Sequence, residues 1–322
     1  MIAKSFMTPA VKLGDTMRTI QTILAATAVT FALVLAPGAG ARDVVHSMGT
    51  ADVPDAPQRV VVLTNEGTEA LLAVGITPVG AVRSWLGDPW YDHIAAQMAD
   101  VTAVGEESAV DLELLAALEP DLIIGTKIRH EKIYEQLSAI APTVISERLR
   151  GDWKVNMALY AEAVGKTAEA EAAFVAYDGR VASIAEQLGD ARAEKISLVR
   201  FMAGRTRIYL KDTFAGTVLG QIGFARPANQ DRDEFADEVT KERIPEFEGD
   251  RLFYYVYETG DGAADSAAAD WMADPLWAAL PVVQAGKAEP VSDAIWNTAG
   301  GIIAANVMLD DIERIYGLTS TR

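Results

Sequence analysis

Leu112-Glu-Leu-Leu-Ala-Ala-Leu-Glu-Pro-Asp-Leu-Ile-Ile-Gly125 decides the fold. Its first half reads as a short helix over Asp111–Leu118, and its second half as a strand over Asp121–Gly125 with no polar position to alternate with the apolar ones. A strand of that kind is buried on both faces, which places it in a parallel sheet sandwiched between helices. The same rhythm runs to either side. Arg59–Thr64 reads as a buried strand, and Asn65 caps a helix carrying Ala70, Leu71, Leu72 and Val74 that Gly75 stops. Pro78–Val82, Val101–Val104 and Thr143–Ser146 are further strands, and Glu131–Ile140 is a helix. Residues 42–150 are therefore expected to form one α/β lobe.

Residues 151–192 read as helical, with no strand between two helical stretches. Phe174, Tyr177, Val181, Ile184 and Leu188 recur every three or four residues and make one face of a helix over Thr167–Leu188. At 1.5 Å per residue it spans roughly 33 Å, the width of a domain. The strand–helix rhythm then restarts over 193–322: strands Ile196–Phe201, Arg207–Leu210, Leu252–Val256 and one around Val291, helices Gly216–Ile222, Lys241–Phe247 and Gly300–Tyr316. Val110-Asp-Leu-Glu113 before Pro120-Asp121 matches Val239-Thr-Lys-Glu242 before Gly249-Asp250, with each Glu eight residues ahead of the Asp that opens a strand. Two pseudo-symmetric lobes are expected. An acid near a helix N-terminus explains the position of each Glu, but not their pairing.

Composition narrows the function. The chain has 322 residues, 28 basic against 46 acidic side chains, a net charge of −18 and no cysteine. Such a surface does not suit nucleic acid, and the missing cysteines exclude disulfides, thiolate metal sites, cysteine nucleophiles and a lipidated N-terminal cysteine. Gly-x-Ser-x-Gly, Gly-x-Gly-x-x-Gly and Walker A patterns do not occur. The three histidines, His46, His93 and His130, are far apart in sequence; His46 is placed before the first strand and His130 on a helix surface. Arg18, the apolar run Ile20–Ala36 and Ala39-Gly40-Ala41 form a secretory signal pattern over 1–41, with Met7 and Met17 as alternative starts. The expectation is a free periplasmic protein cleaved near Ala41, not a lipoprotein.

With these residues in view, the chain resembles the helical-backbone class of substrate-binding proteins that serve ABC importers of ferric siderophores, haem and cobalamin. Arg59–Gly80, Leu112–Gly125, Asp274-Pro-Leu-Trp277 and Trp296-Asn-Thr-Ala-Gly-Gly301 carry the resemblance across 50–318. Leu149–Lys154, Val199–Phe201, Arg207–Tyr209 and Asp212–Phe214 resemble its hydroxamate and citrate–hydroxamate siderophore branch. The resemblance implies two Rossmann-like lobes joined by one long α-helix, with the ligand in a cleft between them. It also implies a monomeric receptor without catalytic activity or resident cofactor, whose ferric iron stays inside the siderophore, and an inner-membrane ABC permease dimer as partner. A haem or cobalamin receptor and an exported metal-dependent enzyme are the alternatives.

Ligands of open α/β sheets sit beyond the carboxyl ends of the strands, and guanidinium suits carboxylate and hydroxamate oxygens. Arg83, Arg150 and Arg200 are expected to contact ligand because strand-end position and resemblance agree. Trp296 follows from the resemblance; Trp85, Tyr209 and Phe214 would supply flat walls; Lys127 and Arg129 lie just past a strand. Arg148, Arg205 and Arg226 are expected to be solvated ion-pair partners, and Trp153, Trp271 and Trp277 to be core. Glu113 and Glu242 are, by resemblance, the residues that dock onto the permease.

Overall fold

Strands of two to seven residues alternate with helices along the chain. The computed structural model describes residues 1–3, 5 and 40–322. Apart from its two edges, the signal segment expected over 1–41 lies outside the described residues, as do its alternative starts at Met7 and Met17. Ala41, where cleavage is expected, already opens a strand. β1 (Ala41–His46) pairs antiparallel with β2 (Gly49–Pro54). The sequence pattern predicts no strand before Arg59, so this hairpin corrects it, and His46 sits within β1 instead of ahead of all strands. The missed signal is the period-two burial of Val44, Ala51 and Val53.

β3 (Val60–Val62), β4 (Gly80–Ala81) and β5 (Thr102–Ala103) precede a small hairpin, β6 (Gly105–Glu106) and β7 (Ala109–Val110). β8 (Leu122–Thr126) and β9 (Thr143–Ser146) complete the first large sheet, ordered β5-β4-β3-β8-β9 with every pairing parallel. Thr64, and not Asn65, caps the helix Asn65–Ala73: its hydroxyl accepts from the Gly67 N–H at 2.9 Å. The second sheet comprises β10 (Ile196–Met202), β11 (Arg205–Tyr209), β12 (Ala236–Val239), β13 (Arg251–Tyr257) and β14 (Ala288–Pro290). Its order, β12-β11-β10-β13-β14, repeats that of the first. One departure is local. Only Ala203-Gly204 separates β10 from β11, too short for a crossover, so these strands pair antiparallel through a hairpin whose Gly204 adopts φ +75°. Pro245 lies within Lys241–Phe247, which is a 3₁₀ helix.

The helix Thr167–Leu188 forms over the residues its periodicity predicts. Val60, Val62 and Leu122 of the first sheet and Ile196, Leu198 and Phe253 of the second belong to one apolar cluster. Tyr177 and Ile184 of the long helix, Met157 and Tyr160 of the helix Trp153–Ala163, and Met308 and Leu309 of the helix Ile302–Tyr316 fill it. The opposite face of each sheet has a smaller core of its own: Val61, Leu63 and Ile123 with Leu115 and Leu137, and Val199, Phe201 and Leu252 with Phe247 and Trp277. Two lobes are thus joined by one long helix and share a helical layer. Buried Arg180, on the long helix, donates to Asp310 at 2.8 Å and to the Asn306 side chain at 2.9 Å on the last helix. Glu69, fully buried in the first lobe, accepts from the Ala304 N–H at 2.8 Å and so satisfies a donor in the first turn of that last helix.

Ile184 is wholly enclosed in this layer, whereas Val175 on the same helix is 74% exposed. Ile184→Ala should therefore cost about 2–5 kcal/mol of unfolding free energy in urea titrations. Val175→Ala should change it by no more than about 0.5 kcal/mol. Equal effects would mean that the helix is not packed between the lobes.

Candidate functional site

Both sheets direct the carboxyl ends of their parallel strands at one cleft of about 380 Å³. This is where the strand order reverses in each lobe, between β3 and β8 and between β10 and β13. From the first lobe come Glu66 (after β3), Trp85 (after β4), Glu107 (between β6 and β7), Ile128 and Arg129 (after β8), and Leu149 and Arg150 (after β9). The second lobe supplies Arg200 and Met202 at the end of β10, Arg205 and Arg207 at the start of β11, and Tyr257 at the end of β13. Tyr209, Phe214, Phe235 and the turn Asn297–Gly300 close the wall.

Six of the nine expected ligand residues therefore meet: Trp85, Arg129, Arg150, Arg200, Tyr209 and Phe214. Arg83 and Lys127 are outside the lining and pair with Asp88 at 2.6 Å and Glu147 at 3.3 Å. Trp296 is corrected outright. It is fully buried, its ring lies 4.7 Å from that of Phe253, and its indole N–H donates to Asp311 at 2.9 Å; the residues just after it reach the cleft instead. Arg205, expected to be an ion-paired surface residue, is exposed in the cleft and has no ion-pair partner among the described residues. Arg226 is buried and donates to the Tyr209 carbonyl and to Gln230, so it is not a solvated ion-pair partner either. Arg148 does pair as expected, with Asp152 and Asp212.

The arginines differ in what they have left to offer. Arg200 is nearly saturated: Nε and Nη2 donate to the two Asp293 oxygens at 2.6 and 3.0 Å, and Nη1 donates to the Tyr209 hydroxyl at 3.0 Å. Burial works against its charge, but the Asp293 carboxylate outweighs that and holds the guanidinium more firmly protonated than usual. Arg150 stands 3.5 Å from Asp212 and over the Phe235 ring at 4.7 Å, in a left-handed backbone conformation (φ +92°) that side chains rarely adopt. Arg207 is 3.7 Å from Glu238, and Arg129 lies over the Trp85 ring at 5.6 Å. Aromatic faces hold these cations in place and leave their N–H groups available.

Two carboxyl groups on the first-lobe side were missed as site residues. Glu66 is buried, chiefly for that reason its pKa rises to about 8, and neighbouring Glu107, Asp152 and Glu69 push it the same way against a 2.7 Å hydrogen bond from Asn156. It could have been found: it stands in the first turn after the central strand. Glu107 sits in the small hairpin, where no pattern marks it. His130, expected on a surface, is buried, and burial lowers its pKa to about 4. Its Nδ1 accepts from the Thr126 N–H at 3.1 Å, so its Nε2–H donates to the Glu107 carbonyl at 3.1 Å and fixes that hairpin. Among the described residues, no group of three or more His, Asp or Glu could hold a metal ion, and no helix is long and apolar enough to cross a membrane.

A two-lobed α/β scaffold with an arginine- and aromatic-lined cleft at its strand ends is that of a substrate-binding protein. The chain belongs to the periplasmic binding protein family, whose profile matches residues 60–288. It is 48% identical over 284 residues to the probable siderophore-binding lipoprotein YfiY of Bacillus subtilis, covering 85% of this chain and 87% of that protein. The achromobactin-binding periplasmic protein of Dickeya dadantii is 31% identical over 81% of this chain and 87% of its own length. Staphylococcus aureus SirA, solved in complex with staphyloferrin B, superposes with a TM-score of 0.80 at 32% identity, over 86% of this chain and 99% of that one. These are binding proteins. The names also correct the location expected from sequence: YfiY is named a lipoprotein, so a free periplasmic protein that is not a lipoprotein no longer stands, and the absence of cysteine does not carry that assignment.

Glu66→Gln preserves the shape of the neutral acid and removes its titration. Wild-type Glu66 stays protonated when folded but ionises near its ordinary pKa when unfolded. The wild type should therefore lose stability relative to the variant as pH rises from 4.5 toward 8, by at most about 1.4 kcal/mol per pH unit, and lose no more above 8. Urea unfolding of both proteins at stepped pH measures the difference, and parallel curves would contradict it.

Proposed function

We propose that the protein captures a ferric siderophore of the hydroxamate or citrate–hydroxamate type and delivers it to an ABC importer. The observation that carries this reading is the set of four incompletely paired arginines, Arg129, Arg150, Arg205 and Arg207, around one aromatic-walled cleft in a chain of net charge −18. Such a cleft is a local positive field in a negative protein, suited to a bulky anionic chelate with apolar flanks. Relatives named as siderophore-binding, and SirA solved with staphyloferrin B, support it. The protein performs no chemistry on its cargo and keeps no resident cofactor; iron enters and leaves inside the ligand. Arg205 and Arg207 are the principal anion contacts, while Arg200, locked by Asp293, positions the aromatic wall.

Delivery falls to Glu113 and Glu242. Both are exposed, each sits in the first turn of its helix, and neither lines the cleft. A two-fold permease presents one basic patch twice, and a receptor with two like-ordered sheets answers with one acid twice. Interface-rim charges of this kind set orientation and on-rate more than affinity.

Titration with ferric dicitrate, a ferric citrate–hydroxamate, a ferric catecholate, haemin and cobalamin, followed by tryptophan fluorescence, tests the ligand class. Trp85 stands in the cleft to report it. A ferric chelate should bind; haemin or cobalamin alone would replace this reading. Arg205→Ala should weaken binding by about 10- to 100-fold, the scale of a hydrogen bond to a charged group, whereas Arg83→Ala should leave it within about twofold. Glu113→Lys combined with Glu242→Lys should abolish uptake through the cognate importer and leave soluble binding intact. Wild-type uptake by that double variant would remove the docking assignment.

A further inference from the structure

The carboxyl groups that line the cleft all stand on one wall. The second-lobe wall carries Arg200, Arg205 and Arg207 and contributes no carboxylate to the lining. The first-lobe wall carries Glu66 and Glu107 beside Arg129 and Arg150. Glu107 is 3% exposed; its Oε1 accepts from the Asn65 backbone N–H at 2.8 Å and from the Asn65 side-chain amide at 2.9 Å. Its Oε2 is buried and accepts no hydrogen bond; the nearest cation, Arg129 Nε, stands 3.6 Å away. A buried carboxyl oxygen without a hydrogen-bond donor is costly, and native structures seldom leave one unless a ligand or water completes it. Glu107 cannot turn away, because Asn65 holds its other oxygen and His130 holds its backbone.

We infer that the cleft is built for a chelate with two unlike ends. Anionic oxygens face the arginines of β10 and β11, and a nitrogen N–H donor, ammonium or amide, meets Glu107. The inference rests on the ferric-siderophore reading and adds to it which group distinguishes the cognate ligand from other anionic ferric chelates. Glu107 is then a specificity residue: it rewards a nitrogen arm that completes its Oε2.

Three forms of one ferric citrate–hydroxamate test this with the full chain: a free arm ending in a primary amine, the same arm N-acetylated, and the same arm N-acetylated and N-methylated, which has no N–H. Fluorescence titration should show the methylated form binding about tenfold or more weakly than the better of the other two. The amine form leading identifies an ammonium as the partner; parity of amine and acetylated forms identifies an amide. Glu107→Gln should erase the gap. Should that variant fail to fold by circular dichroism, Arg129→Ala, at an exposed position, removes the cation paired with Glu107 and should widen the gap between the amine and methylated forms. Equal binding of all three forms by the wild type, a gap unchanged in Glu107→Gln, or one that does not widen in Arg129→Ala overturns the inference and leaves siderophore binding standing. Absence of any response to all three forms instead overturns the siderophore reading itself.

Discussion

One apolar layer, shared by both sheets and threaded by the helix Thr167–Leu188, is the constraint on which the rest of the molecule depends. Each sheet needs both faces covered, and each obtains one cover from its own lobe and the other from this common layer. Separating the lobes would expose Tyr177, Ile184, Met308 and their neighbours to water, at a cost that grows with apolar area. The polar contacts point the same way: Arg180 ties the long helix to the last one, and Glu69 of the first lobe occupies the start of that last helix. A cleft built on such a layer is expected to be pre-formed, with rims that keep nearly the same spacing when a ligand arrives.

Charge is arranged around the same cleft. In a strongly acidic chain a free arginine readily finds a carboxylate, and Arg148, Arg180 and Arg232 do so. Around the cleft the acids stand farther off, at 3.5–3.7 Å from Arg150, Arg129 and Arg207, and aromatic faces share the cations: Arg150 over Phe235 and Arg129 over Trp85. The positive field is local, and the acidic remainder of the surface does not cancel it within the low-dielectric walls of the cleft. The same economy of partners leaves Glu107 Oε2 without a hydrogen bond on the facing wall.

Much of the fold was legible because it depends on local periodicity. The span Thr167–Leu188, the parallel first sheet and the short helix before β8 all follow from apolar spacing. The hairpin of β1 and β2 was hidden by its position beside a signal-like segment, and the antiparallel pairing of β11 by the choice of Arg207 instead of Arg205 as its start. Strand ends brought Arg129, Arg150 and Arg200 to the cleft but failed at Arg83 and Lys127, which pair with Asp88 and Glu147 outside it. Others were illegible because direction depends on a turn. Trp296 lies in a π-helical turn that buries its ring and presents Asn297–Gly300 to the cleft, and spacing along the sequence does not encode that rotation. Burial of His130 likewise comes from the loop that carries Glu107, far away in sequence and set by tertiary contact.

A pre-formed cleft is the central claim, and the absence of cysteine makes it directly measurable. Glu113→Cys and Glu242→Cys place one spin label on an exposed position of each lobe with no background thiol. Pulsed electron–electron resonance then reads the distance between lobes with and without a saturating ferric chelate. A shared core predicts a single narrow distance that shifts by no more than about 2 Å on binding, within the range of pre-organised complexes. A broad distribution in the free protein, or closure by about 5 Å or more, would contradict the claim that the common layer fixes the cleft.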